Sequence, residues 1–140
     1  MMKRSNLSNI EKQGLFAGSF NKLKSLMKEG DYFKAFILAF SILEDRITAA
    51  YKMHIAIMGL NTRRERIPHS VIAKAKILFL SGWLHKTDFD SLYNIASKRN
   101  VFYHKYFMSD IEINNKVVEE IIRLTRLIDK KKKARKKKLI

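Results

Sequence analysis

The sequence predicts an all-α protein, a compact bundle of about five helices, and three observations carry that expectation. Apolar residues recur at three- and four-residue spacing, and no segment keeps the two-residue period of a strand for long enough to compete. A single proline interrupts 140 residues. Glycines and short polar residues fall where helices would start and stop.

The first helix is expected from about Asn9 to Glu29, closed by Gly30, with Asp31 placed to cap the next. The second runs from Tyr32 to about Met58 and ends at Gly59-Leu60-Asn61. A basic loop from Asn61 to Ile67 carries Arg63, Arg64 and Arg66. Pro68 suits the first turn of a third helix, where its missing N–H is not needed, and that helix reaches Ser81-Gly82. Thr87 with Asp90, and Ser109 with Glu112, have capping-box spacing, which starts a fourth helix near Asp88 and a fifth near Asp110. The fifth repeats apolar residues at Val117, Ile121, Leu124 and Ile128, then gives way to lysines. Residues 1–129 are therefore expected to form one helical domain, and residues 130–140 a basic, disordered or frayed tail.

Charge narrows the partners. The chain holds 29 Lys and Arg against 13 Asp and Glu, a net charge of +16. Eight of those cations lie between Lys130 and Lys138, which leaves +8 on the rest. A basic body attracts polyanions through a long-range, salt-sensitive field, although solubility and a solvated tail account for the same excess. There is no cysteine, so disulfides, thiol catalysis and thiolate metal sites are excluded. The N-terminal residues lack an apolar core of the secretory kind, and the most apolar segment, Ala35 to Leu43, is far short of the ~20 residues of a membrane span. A cytoplasmic protein is the default expectation.

Two ionisable residues break the helical pattern. On the fourth helix Arg99 falls among Leu92, Ile95, Ala96, Phe102, Tyr103, Tyr106 and Phe107. On the second, Glu44 falls among Phe33, Ile37, Phe40, Ile47, Tyr51, Ile55 and Met58. A buried charge costs several kcal/mol unless it is paired or reaches a wet cavity, so Glu44 and Arg99 are expected to face each other. A buried ion pair setting helix register would satisfy both. It would not require Asn100 beside Arg99, nor His104 one turn beyond Asn100. Together Arg99, Asn100 and His104 supply a phosphate clamp, an orienting amide and a proton-transfer group.

The segment Ala96-Ser97-Lys98-Arg99-Asn100-Val101-Phe102-Tyr103-His104 resembles the Arg-x4-His signature of HEPN domains, in which a polar residue often follows the Arg. Ala39-Phe40-Ser41-Ile42-Leu43-Glu44-Asp45-Arg46 is similar to the second-helix pattern of these domains, and the resemblance spans roughly Asp31 to Ile128. HEPN domains are small helical bundles, and many are metal-independent endoribonucleases of toxin–antitoxin, CRISPR and phage-defence systems. The resemblance implies Arg99 and His104 as a catalytic pair, Asn100 as support, and Glu44 as an acidic auxiliary. It also implies a homodimer with both motifs lining one cleft, and an antitoxin partner such as a nucleotidyltransferase-like protein. Geometry gives the dimer a reason: Arg99 and His104 stand ~140° apart on a regular helix, so one helix aims them poorly at one phosphate.

The expected reaction is cleavage of single-stranded RNA by attack of the ribose 2′-hydroxyl on the adjacent phosphorus, with no metal or other cofactor. Arg63, Arg64, Arg66, Lys98 and Lys105 are expected to grip RNA backbone. The rival class is a HEPN-like module that binds RNA or protein without cutting. His54, His69 and His85 lack mutual ligand spacing, and His54 reads as a satisfied core histidine. Trp83 and Tyr93 read as core residues in place of a base-stacking platform.

Overall fold

Helix follows helix in the order α1 (Asn9–Lys28), α2 (Tyr32–Ile57), α3 (Val71–Leu80), α4 (Lys86–His104) and α5 (Asn115–Lys138). The structure is a computed structural model that describes residues 9–60, 67–104 and 113–138, with side chains over 18–60, 67–100 and 113–136. Among the described residues there is no strand, so the fold is all-α as expected.

Each boundary has a local cause. Asp31 caps α2, its carboxylate accepting from the Lys34 N–H at 3.3 Å. Ser70 caps α3 through the Ala73 N–H at 3.3 Å, so that helix begins at Val71 and not at the proline. α4 begins at Lys86, two residues before the expected start. The reason is that Asp88 works from inside the first turn, accepting from the His85 N–H at 3.3 Å, the return half of a capping box. Asn114 caps α5 through the Val117 N–H at 3.2 Å. The start expected at Asp110, with Ser109 and Glu112, lies outside the described residues.

The helix ends share one device. At the end of α1 the Asp31 N–H reaches Leu26 O and the Gly30 N–H reaches Met27 O, with Gly30 at φ +79°. Trp83, Leu78, Gly82 and Phe79 repeat the pattern after α3, with Gly82 at φ +83°. A side chain at either glycine would meet its own carbonyl in this left-handed conformation.

α2 is the central element, packed on α1, α3 and, over the longest stretch, α5, while α4 packs on α3 and α5. Its buried face of Phe36, Ala39, Phe40, Leu43, Ile47 and Ala50 belongs to one core with Leu78, Trp83, Leu92, Ile121, Leu124 and Ile128. Burying one large side chain of this kind stabilises by about 1.5–3 kcal/mol. This face is rotated from the expected stripe. Phe33 and Ile37 are only half-buried, because the helix turns Phe36, Leu43 and Ile47 to its centre, and Met58, 65% exposed, lies just past the helix end as its C-cap. Glu44 therefore lies roughly 80° off that centre, at the flank.

The expected frayed tail is corrected. α5 continues through the lysine run to Lys138. Arg135 occupies the seam position seven residues after Ile128 and lays its guanidinium over the Trp83 ring, 4.4 Å from the centroid. One turn after Thr125, Asp129 pairs with Arg46 of α2 at 3.2 Å. The buried Thr125 hydroxyl is satisfied within the helix by Ile121 O at 2.8 Å.

Candidate functional site

The flank position of Glu44 decides what the pair with Arg99 is. Arg99 Nη1 lies 2.9 Å from Glu44 Oε1, so the two charges do face each other across α4 and α2. They are not buried: the side chains are 30% and 35% exposed. The expectation of a core ion pair is corrected to a wet one at the edge of the core. Arg99 is steered by Phe40, one turn before Glu44, whose ring centre is 4.8 Å from the guanidinium carbon. Phe40 in turn stacks on Phe36 and is fixed by the core.

Two further residues belong to this neighbourhood and were not expected. Thr48, one turn after Glu44 on α2, accepts a hydrogen bond from Lys74 Nζ of α3 at 2.9 Å. Burial holds the Lys74 pKa below its ordinary value, opposed by the nearby Glu44 carboxylate and reinforced by Lys52. The row Phe40, Glu44, Thr48, Lys52 thus runs down one face of α2, met by Arg99 from α4 and Lys74 from α3. Arg99 pairs with the Glu44 carboxylate and Lys74 acts on it at longer range, an arrangement suited to holding an anion.

The other expected site residues divide in three. Lys98 and Asn100 are exposed beside Arg99. His104 is the last residue of α4, and its side chain lies outside the described residues. Arg63, Arg64, Arg66 and Lys105 also lie outside them. Tyr93, expected in the core, is 52% exposed, because it sits on the same solvent flank of α4 as Asn100, seven residues on. Its aromatic character favoured the core reading; its register with Asn100 was the signal against it.

Trp83 is a core group, as read, whereas His54, read as a core histidine, is only half-buried beside it. Trp83 is 1% exposed and donates from Nε1 to His54 Nδ1 at 3.3 Å, with the rings edge to face. Burial, then the charge of Arg135, holds His54 below its ordinary pKa. At the start of α4, Asp88 is 6% exposed and pairs with Arg123 of α5 at 3.0 Å; Arg123 also engages Glu120, which accepts from Ser91. Among the described residues no three His, Asp or Glu side chains converge as a metal site would require, and no helix is long and apolar enough to cross a membrane.

No family model, no curated protein and no solved structure matches this chain.

Proposed function

We propose that this chain is a metal-independent endoribonuclease of HEPN type, acting on single-stranded RNA in the cytoplasm as a homodimer. The observation that carries the reading is a water-accessible Arg99–Glu44 pair in the Arg-x4-His segment of α4, with exposed Asn100 alongside and Lys74 close to the same carboxylate. His104 takes the proton from a ribose 2′-hydroxyl, and that oxygen attacks the adjacent phosphorus. The bond to the 5′-oxygen breaks and that oxygen takes a proton from water, leaving a 2′,3′-cyclic phosphate and a 5′-hydroxyl, while His104 returns its proton to solvent. Arg99 stabilises the charge that builds on the non-bridging oxygens. For this the phosphate shares Arg99 with Glu44 or displaces it, which is feasible at a solvent-exposed pair and would be costly at a buried one. Exposed Tyr93 on the flank of Asn100 offers a stacking surface for a base or a contact for a second copy. Regulation by an antitoxin protein is part of the same reading.

The test is cleavage in EDTA. Purified protein should cut single-stranded RNA without a divalent ion, and a substrate with 2′-deoxyribose at the cleaved position should resist. His104→Ala should lower the rate by ~10²–10⁴ with little change in RNA affinity, since proton transfer matters mainly in the transition state. Undiminished cleavage by a folded His104→Ala protein sinks the mechanism. Intact binding with no cleavage of any RNA would favour the second reading, a non-catalytic binding module, which the resting occupation of Arg99 by Glu44 also fits.

A further inference from the structure

A second cationic site stands on the other side of α2. Asp129, Lys132, Lys133 and Lys136 are spaced i, i+3, i+4 and i+7 on α5, which puts them on one face. With Arg46 of α2 they line a groove of about 420 Å³ whose net charge is +3. Arg46 follows Glu44 by two residues, so it projects ~200° around α2 from the Arg99 pair, and the two sites open in different directions.

Lysines on a loose tail would offer only a diffuse field. These are held in place, because Arg135 is stacked on Trp83 and Asp129 is paired with Arg46, which docks the last turns of α5 on the bundle. The groove's one anion is under tension: burial pushes the Asp129 carboxyl up, against the pull of Arg46, Lys132 and Lys133, and Asp45 pushes the same way as burial. From Lys132 to Lys136 the ridge rises about 6 Å, and its charge exceeds what one phosphate would neutralise. Ammonium groups accept phosphate oxygens from many directions, while the Arg46 guanidinium adds a fork.

We propose that this groove binds a run of linked phosphates, gripped by Lys132, Lys133, Lys136 and Arg46, with Asp129 occupying the anion position until the ligand arrives. The source is either a free oligophosphate or a stretch of nucleic-acid backbone. Neither depends on the RNA chemistry proposed for Arg99 and His104.

Titration calorimetry of the full chain with inorganic tripolyphosphate at physiological salt tests this. Lys132→Gln/Lys133→Gln/Lys136→Gln should weaken binding by roughly tenfold or more, whereas Lys116→Gln/Arg126→Gln/Lys130→Gln, which removes the same charge from exposed positions of α5 outside the groove, should change it by less than about threefold. Asp129→Asn should tighten binding, since it removes the competing anion. Equal losses in the two triple variants, or weaker binding by Asp129→Asn, would reduce the groove to part of the general field and overturn the proposal. A single-stranded DNA oligonucleotide, which the proposed nuclease does not cut, separates the sources: displacement of tripolyphosphate assigns the groove to nucleic-acid backbone, and independent binding assigns it to a free oligophosphate. His104→Ala should leave every one of these titrations unchanged, so failure here and failure of the RNase reading are distinguishable.

Discussion

The two ends of α4 are each tied to a neighbouring helix by a carboxylate and an arginine, yet the two ties are different devices. At the N-terminal end the carboxylate of Asp88 is nearly sealed and serves both Arg123 and the His85 N–H. Toward the C-terminal end both Arg99 and Glu44 stand about one-third in water. Distance does not separate them, since the contacts are 3.0 Å and 2.9 Å. Solvent does. A sealed carboxylate with two donors cannot change partners without leaving one unsatisfied, whereas a wet pair can exchange a partner for water or for an incoming anion at small cost. One end of the helix is therefore suited to anchoring and the other to exchange.

The largest effect that should break this comparison is at the anchored end. Asp88→Ala should destabilise by about 2–3 kcal/mol in denaturant unfolding, the loss of a charge-assisted bond and of a helix-start bond, although Arg123 itself remains half in water. A loss no larger than that of Glu44→Ala would mean that the two ties are alike. A double-mutant cycle on Glu44 and Arg99 should give only about 0.2–1 kcal/mol, and the coupling should fade in molar salt. In RNA binding the order reverses. Glu44→Gln should tighten affinity by freeing Arg99 for phosphate, and Asp88→Asn should leave affinity unchanged.

The smallest effect concerns a third cation, Arg135, and the histidine it faces through Trp83. His54 has a folded-state pKa below its ordinary value of 6.5, so the folded form holds the proton less tightly than the unfolded chain. Its contribution to stability is full above about pH 6.5 and is lost as pH falls through the lowered folded pKa, where the protonated ring no longer accepts from Trp83 and repels Arg135. The melting temperature should fall modestly over that window. His54→Gln, which keeps an acceptor without titrating, should flatten the fall.

The helices were largely legible because their ends are written in local chemistry: Asp31, Gly30 and Gly82 do the same work in the sequence as in the structure. The pairing of Glu44 with Arg99 was legible for a similar reason, since two charges among apolar residues need each other. Its wetness was not. That depends on a rotation of α2 which Phe36, Leu43 and Ile47 decide by packing in the shared core, and a wheel drawn for one helix does not contain it. Lys74 and Thr48 are 26 residues apart, and nothing in either segment signals their bond. The length of α5 was concealed by composition. Nine residues of nearly unbroken lysine read as solvated chain, while Arg135 keeps the seven-residue spacing from Ile128 with an arginine where an apolar residue was sought.

Trp83 is the chain's single tryptophan, and its indole is walled in by the core, by the His54 ring and by the flat guanidinium of Arg135. Excited at the red edge of its absorption, where tyrosine does not absorb, the protein therefore emits from one enclosed fluorophore, lidded by a residue three from the end of α5. Lifting that lid lets water reach the indole and moves this emission to longer wavelength, with no second tryptophan to obscure the shift. The protein carries its own label at the point where its basic helix meets its core.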